Sequence, residues 1–215
     1  MCESMGKLNS ETGCISVTCD GYSCTFFEGH MFPVRFRTPT GECFPSLTFN
    51  DKARETEKEI QYVLGEDRWA EFRIVENSDD CFVIDCLGSY CRIDSRPFVL
   101  ALQGVQVAYR YSLRKSSKSI KIDISLKGSH KPPLDISFLN PAWRKATCNQ
   151  HAEIADDDQL VLENNGYRIS LCPGEVSLPD AVHRECSGTQ ACQISGWQSG
   201  DVKIAAVLSL DSPGV

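Results

Sequence analysis

The stretch SIKIDISLK, from Ser119 to Lys127, constrains the fold of this chain more than any other segment. Its apolar and polar residues alternate strictly, with Ile120, Ile122, Ile124 and Leu126 set against Lys121, Asp123, Ser125 and Lys127. Successive side chains of a β-strand point to opposite faces of the sheet, so a period of two indicates a strand with one buried face. A helix would need its apolar residues three and four positions apart.

The same alternation recurs along the chain and predicts an all-β fold. It is present in MFPVRFRTP, GVQVAYRYSL, PLDISFLN and DVKIAAVLSL. QLVLENNGYRISLC predicts a hairpin that turns at Asn164, Asn165 and Gly166, because an Asn-Gly pair adopts positive φ at low cost. Many short strands with turn signals between them favour a large antiparallel β-sandwich, with a closed β-barrel as the alternative.

The segment from Asn50 to Trp69 is ambiguous between a helix and strands. Asn50 is a possible N-cap and Gly65 a possible stop for a helix. We favour a hairpin from about Glu59 onward, turning around Gly65 to Arg68, after a polar loop. The run from Glu59 to Leu87 resembles the sheet-building segments of large β-sandwich domains in carbohydrate-active enzymes, and this resemblance implies an architecture only.

Length and composition predict a single soluble β domain over residues 1–215, with residues 1–12 as a disordered tail. Of the 215 residues, 41% are hydrophobic and 24% are charged, and no apolar run is long enough to span a bilayer. GSHKPPLD is expected to be a loop or a sheet-edge device within this domain. The apparent lack of a secretory signal predicts a cytoplasmic protein, the alternative being secretion with the signal removed.

Twelve cysteines include two similar triplets, CISVTCDGYSC and CFVIDCLGSYC. A four-residue turn would place Cys19 opposite Cys24, and Cys86 opposite Cys91, close enough for disulfides. A two-residue Asp-Gly turn would instead place Cys19 opposite Tyr22. We favour free thiols, with Cys19 and Cys86 as small buried residues and each glycine as a turn residue. The spacings are poor for zinc, and we predict no metal and no cofactor.

A basic stretch suggests a ligand-binding face. Residues 110–131 contain seven Lys or Arg residues and one acid, although the net charge of the chain is -7. We expect Arg110 to bind an anionic group and Tyr109 and Tyr111 to offer stacking surfaces, the alternative being a solvated strand face.

Two further clusters combine polar and aromatic residues. FLNPAWRKATCNQHAE offers Asn140, Trp143 and Arg144 for sugar binding, and His151 and Glu153 for acid-base catalysis. EGHMFPVRFR adds His30 as a second catalytic candidate, and Arg35 and Arg37 as ligand-binding residues.

The chain lacks several common catalytic motifs, which disfavours the common hydrolase, NTPase, dehydrogenase and zinc-protease mechanisms. We find no Gly-x-Ser-x-Gly elbow, P-loop, dinucleotide fingerprint or His-Glu-x-x-His. Our leading hypothesis is a carbohydrate-binding or carbohydrate-active domain. The alternatives are a small-molecule isomerase or cyclase with an apolar pocket in a barrel, and a scaffold or oligomerising subunit. The expected partner is a glycan or small molecule, and a second copy of the chain is a further candidate. We expect no nucleic acid and no membrane.

Overall fold

The computed structural model describes residues 4–27, 31, 35–38, 43–44, 48–49, 51–58, 60–64, 70–92, 101–139, 141–142, 151–155, 159–164, 167–180, 182–185 and 192–211. Every regular element among them is a β-strand, which confirms the predicted all-β class. No helix in these residues is long and apolar enough to cross a bilayer.

Twenty strands follow one another along the chain. They are β1 (Gly6–Asn9), β2 (Cys14–Thr18), β3 (Ser23–Phe27), β4 (Arg35–Arg37), β5 (Cys43–Phe44), β6 (Thr48–Phe49), β7 (Lys52–Glu55), β8 (Gln61–Val63), β9 (Glu71–Asn77), β10 (Cys81–Gly88), β11 (Cys91–Arg92), β12 (Val105–Arg114), β13 (Ser119–Phe138), β14 (Pro141–Ala142), β15 (His151–Ala155), β16 (Gln159–Asn164), β17 (Tyr167–Ser177), β18 (His183–Glu185), β19 (Cys192–Ser199) and β20 (Val202–Asp211).

A large antiparallel sheet is organised around β13. The first half of β13 pairs with β12 and β20, and its second half pairs with β7 and β19. Beyond these neighbours, β10 and β9 extend the sheet on one side of β12, and β17, β16 and β15 extend it beyond β20. The strand predicted from SIKIDISLK is therefore the central element of the sheet, and it is longer than its alternation suggests.

Of the two alternatives for GSHKPPLD, the loop is wrong, because this segment lies inside β13. The pairing of β13 is irregular there, since the register with β19 shifts between Ser129 and Leu134. Proline has no N–H to donate to a neighbouring strand, so Pro132 and Pro133 are tolerated where the regular ladder is interrupted.

A five-stranded antiparallel sheet, β1 to β5 in chain order, packs on the large sheet and completes the predicted sandwich. The ring of Phe26 on β3 lies between them, with its centroid 5.4 Å from that of Tyr111 and 6.2 Å from that of Phe82. Ile15, Val17 and Phe36 are buried on the same side of the small sheet. The alternating apolar residues of both sheets thus form one core.

Two predictions for the N-terminal half are wrong. Residues 6–9 are not a tail, because β1 pairs with β2 and the Gly6 amide donates to the Asn77 side chain at 2.9 Å. The hairpin expected around Gly65 is replaced by a hairpin of β7 and β8, while β9 pairs with β10. The segment that was expected to be a polar loop supplies β7, whose buried face carries Ala53 and Glu55.

The two cysteine triplets have different structures. In the first, Asp20 and Gly21 form a two-residue turn, and the Cys19 amide donates to the Tyr22 carbonyl at 2.8 Å. In the second, Gly88 ends β10 opposite Val107, and Cys91 pairs with Val63, so no hairpin forms there. Cys19 and Cys86 are both buried and free, as expected for small apolar residues.

Candidate functional site

The outer face of the large sheet, opposite the core, carries the polar residues of the alternating strands. One row of register partners on this face runs across six strands, and consists of Glu71, Leu87, Ala108, Ser125, Lys203 and Ser177. At about 4.8 Å between strands, the row is roughly 24 Å long. The residues at its centre, Ala108 and Ser125, are small.

A groove follows this row. Its main part has a volume of about 890 Å³ and is lined by Ala108, Ser125 and Lys203, among others. It continues toward β9 into a second part of about 590 Å³, which shares Ala108 and Ser125 and adds Leu87 and Glu71. The groove forms because small residues of the row lie between long residues of the adjacent rows, such as Arg110 and Lys127 on β12 and β13.

The wall of the groove contains a well-defined ion pair between Arg110 on β12 and Asp85 on β10. Arg110 donates from Nε to Asp85 Oδ1 at 2.6 Å and from Nη2 to Oδ2 at 2.8 Å. These hydrogen bonds raise the pKa of the Arg110 guanidinium above its ordinary value. The Arg110 side chain is 49% exposed and that of Asp85 is 17% exposed, so the guanidinium is fixed and still accessible.

Asp123 lies on the other side of Arg110. The two residues are register partners on β12 and β13, and both line the groove. Asp123 Oδ1 is 3.3 Å from the Lys121 Nζ atom. The wall therefore presents alternating charges, in the order Asp85, Arg110, Asp123, from one strand to the next.

Lys127, Lys203 and Glu175 also line the main part of the groove. Together with the wall, this makes three acidic and three basic residues in the main part of the groove, so their formal charges cancel. Part of the charge of the basic stretch seen in the sequence is balanced in the same way, because Arg110 pairs with Asp85 and Arg114 lies 3.7 Å from Asp80. These two acids lie outside the stretch and lower its excess of basic residues from six to four.

Tyr109 and Tyr111 do not provide the stacking surfaces predicted for them. Both rings are fully buried in the core, where the Tyr109 hydroxyl bonds to Asp51 and the Tyr111 hydroxyl donates to the Met31 carbonyl at 2.9 Å. Adjacent residues of a strand face opposite sides, so tyrosines that flank Arg110 cannot share its face. Burial raises the pKa of both phenols well above the ordinary value.

The other predicted site residues are not brought to the groove by any described contact. Arg35 and Arg37 are exposed on β4 of the small sheet, on either side of the buried Phe36. His151 and Glu153 lie in β15, of which only the backbone is described, opposite Glu163 and Val161. The remaining predicted residues fall outside the described residues, namely His30, Asn140, Trp143 and Arg144.

The sequence prediction missed most of the residues that line the groove. Asp85, Asp123, Ser125 and Lys203 occupy polar positions in alternating strands, which identifies them as outward-facing but does not show that they are neighbours. Trp197 has no role in this groove, since it is fully buried and donates to the Gly200 carbonyl. Among the described side chains, no group of three His, Cys, Asp or Glu residues is placed to hold a metal ion.

No protein-family model matches the chain, and no curated protein sequence matches it. Solved structures do share its fold. The chain is similar to the galactosidase domain of the α-galactosidase-sucrose kinase AgaSK, with a TM-score of 0.51 and 8% identity over 97% of this chain and 42% of that one. It is also similar to a mutant of the heparan sulfate lyase HepC from Pedobacter heparinus, with a TM-score of 0.55 and 8% identity over 98% of this chain and 37% of that one.

A third similar structure is the GH36 α-galactosidase AgaB from Geobacillus stearothermophilus, with a TM-score of 0.50 and 8% identity over 97% of this chain and 41% of that one. At this identity the likeness shows the fold alone. The chain therefore has a β-sandwich fold that also occurs in carbohydrate-active proteins. It spans about two fifths of the length of the proteins it matches.

Proposed function

We propose that this chain binds a glycan in the groove across the outer face of its large sheet. The observation that carries the proposal is the groove itself, which runs across six strands and is lined by fixed polar groups beside small residues. Its length of roughly 24 Å, from strand spacing, suits an extended ligand better than a compact one.

The chemistry of the groove supports a ligand rich in hydroxyl groups. Arg110 and Asp123 supply charged donors and acceptors, and Ser125 and Ser177 supply hydroxyls along the row. Hydrogen bonds between a charged and a neutral group are stronger than those between two neutral groups. Ala108 and Leu87 leave apolar surface between the polar groups, against which the C–H faces of a sugar ring can pack.

The fold supports the same proposal at the level of analogy. The three similar structures are named as α-galactosidases and a heparan sulfate lyase, all of which act on carbohydrates. A fold by itself does not determine function, so the groove carries the argument and the similarity adds to it.

The test is a thermal-shift screen of the chain against short oligosaccharides, followed by calorimetry with those that raise the melting temperature. A ligand present at 100 times its Kd stabilises the native state by about 2.7 kcal/mol, which is readily detected. Ala108→Phe fills the centre of the groove and should abolish binding. Ser112→Phe is the matched control, because Ser112 lies on the same face of β12 but does not line the groove.

Equal binding by both variants would show that the ligand occupies another surface. A screen in which no oligosaccharide binds would overturn the proposal.

Catalysis remains a separate proposal. His151, Glu153 and His30 are our candidates for acid-base chemistry on the bound glycan, based on the sequence. Once a glycan ligand is known, His151→Ala should reduce its turnover by a factor of 100 or more, because general acid-base catalysis contributes about 10² to 10⁴. Wild-type turnover by this variant would exclude His151.

A further inference from the structure

The groove wall contains a donor and an acceptor that lie side by side on adjacent strands. Arg110 and Asp123 are register partners, and side chains in such pairs have Cβ atoms about 4.5–5.5 Å apart. The two charges also interact, since Asp123 contributes to the raised pKa of Arg110, after the larger effect of Asp85.

Arg110 retains donors that its ion pair does not use. A guanidinium has five N–H groups, and the bond to Asp85 occupies one on Nε and one on Nη2. The remaining three, two on Nη1 and one on Nη2, have no partner among the described residues. Because Asp85 fixes the plane of the guanidinium, these donors have a defined direction away from Asp85.

Asp123 likewise retains an acceptor. Its Oδ1 atom lies 3.3 Å from Lys121 Nζ, while Oδ2 has no partner within the described part of the chain. A carboxylate can accept only, and a guanidinium can donate only. Two adjacent hydroxyl groups of a sugar match this arrangement, because one hydroxyl can donate to Asp123 while its neighbour accepts from Arg110.

Charge balance in the groove favours a neutral ligand. Each cation of the main part is matched by an acid, namely Asp85, Asp123 and Glu175 against Arg110, Lys127 and Lys203. For a sulfated or uronate-containing glycan, attraction to Arg110, Lys127 and Lys203 would be offset by repulsion from as many acids, so its charges gain nothing from the groove.

We infer that Arg110 and Asp123 form a clamp for two adjacent free hydroxyls of a neutral glycan. This inference rests on the proposed function, since it names the class of glycan that the groove takes. It replaces the sequence-based expectation that Arg110 binds an anionic group. Asp85 is a positioning residue in this scheme, because it orients Arg110 without needing to touch the ligand.

The inference is tested by calorimetry with neutral trisaccharides of glucose, galactose and mannose, and with a heparan sulfate tetrasaccharide. The wild-type chain is expected to bind at least one neutral trisaccharide and to bind the tetrasaccharide more weakly. Asp123→Ala and Arg110→Ala should each weaken that neutral binding by about 10- to 100-fold, as expected for the loss of a charged hydrogen bond.

Arg114→Ala is the matched control, since Arg114 lies on the same face of β12, pairs with Asp80 and does not line the groove. Asp85→Asn tests the positioning role, and should weaken binding less than Arg110→Ala because it loosens the orientation of the guanidinium without removing it. Melting temperatures of all variants separate loss of binding from loss of folding.

The outcomes distinguish the two proposals. Suppose that a trisaccharide binds and that Ala108→Phe abolishes its binding. If Arg110→Ala and Asp123→Ala then keep the same affinity as the control Arg114→Ala, the clamp is wrong and the groove remains the binding site. Tighter binding of the heparan sulfate tetrasaccharide than of every neutral trisaccharide would overturn the neutral class. If no saccharide binds, the proposed function itself fails.

Discussion

Replacement of Phe26 by alanine tests the packing of the small sheet on the large one. The Phe26 side chain is fully buried, and its ring centroid lies 5.4 Å from that of Tyr111, 6.2 Å from that of Phe82 and 6.5 Å from that of Phe72. Phe26 therefore joins a strand of the small sheet to three strands of the large one.

The expected cost has two parts. The loss of a buried aromatic side chain costs about 1.5–3 kcal/mol of transfer free energy. A residual cavity on the order of 80 Å³ adds about 2 kcal/mol, at 24 cal/mol per Å³. We therefore expect Phe26→Ala to lower the free energy of unfolding by about 4 kcal/mol.

The free energy of unfolding is measured by urea denaturation, followed by far-UV circular dichroism and by tryptophan fluorescence. Trp197, one of three tryptophans in the chain, is buried in the large sheet, so the fluorescence signal includes a contribution from that sheet. Leu8→Ala is the control, because Leu8 is a large apolar residue of the small sheet that is 64% exposed. Its cost should stay within about 0.5 kcal/mol.

A double-mutant cycle with Tyr111→Leu isolates the ring contact, which should contribute about 0.5–1.5 kcal/mol. If Phe26→Ala costs less than about 1 kcal/mol, or no more than Leu8→Ala, then the two sheets do not share this core and the sandwich packing is wrong.

Three further predictions concern glycines and thiols. Gly128→Ala should unfold the protein or lower its melting temperature sharply, because φ is +118° and the new Cβ would clash with the Gly104 carbonyl oxygen. Gly21→Ala is the control and should leave the melting curve unchanged, because its new Cβ would make an ordinary contact with Lys118 Cγ at 3.7 Å. Cys14 should react with Ellman's reagent in the native protein and Cys86 only after denaturation, and rapid native labelling of Cys86 would contradict its burial. Burial raises the pKa of the Cys86 thiol above its ordinary value of 9.0, so only the unfolded state loses this proton above about pH 9. The contribution of Cys86 to the free energy of unfolding should thus be fully present below pH 9 and fall above it. Cys86→Ala should make the free energy of unfolding, measured by urea titrations between pH 7 and 11, fall less steeply with pH. An unchanged slope would assign the pH dependence to other groups.

The sequence predicts single strands well because the alternation of apolar and polar residues within a strand shows which of its side chains are buried. Ile120, Ile122 and Ile124 are buried as their spacing predicts, and β16 and β17 pair as antiparallel neighbours up to Asn164 and Tyr167, as the predicted hairpin requires. The same alternation would have assigned Tyr109 and Tyr111 to the core, since they share a face with Val105 and Val107. The expectation that they provide stacking surfaces therefore disagrees with the alternation of β12 as well as with their burial.

The candidate site could not be predicted from the sequence, because it depends on the register of many strands. Asp85, Arg110 and Asp123 are each recognisable as outward-facing residues, yet Asp85 is 25 residues from Arg110 in the chain. Only the pairing of β10, β12 and β13 makes them neighbours. The groove has the same origin, since Ala108 and Ser125 form its floor only because they are register partners.

The pairing of the long strand β13 with strands far away in the sequence also affects how the chain folds. Its second half pairs with β7, where Ile136 faces Ala53, and its first half pairs with β20, where Ile120 faces Leu208. During synthesis, β7 and β12 have already been made when β13 emerges, whereas β19 and β20 have not. The edge of the first half of β13 that pairs with β20 therefore has no partner until β20 appears. Non-local pairing of this kind slows folding and leaves apolar strands open to association with other chains. We therefore expect chains truncated before β20 to aggregate. We also expect that a chain cut at Pro132, within β13, does not give a shorter soluble fragment.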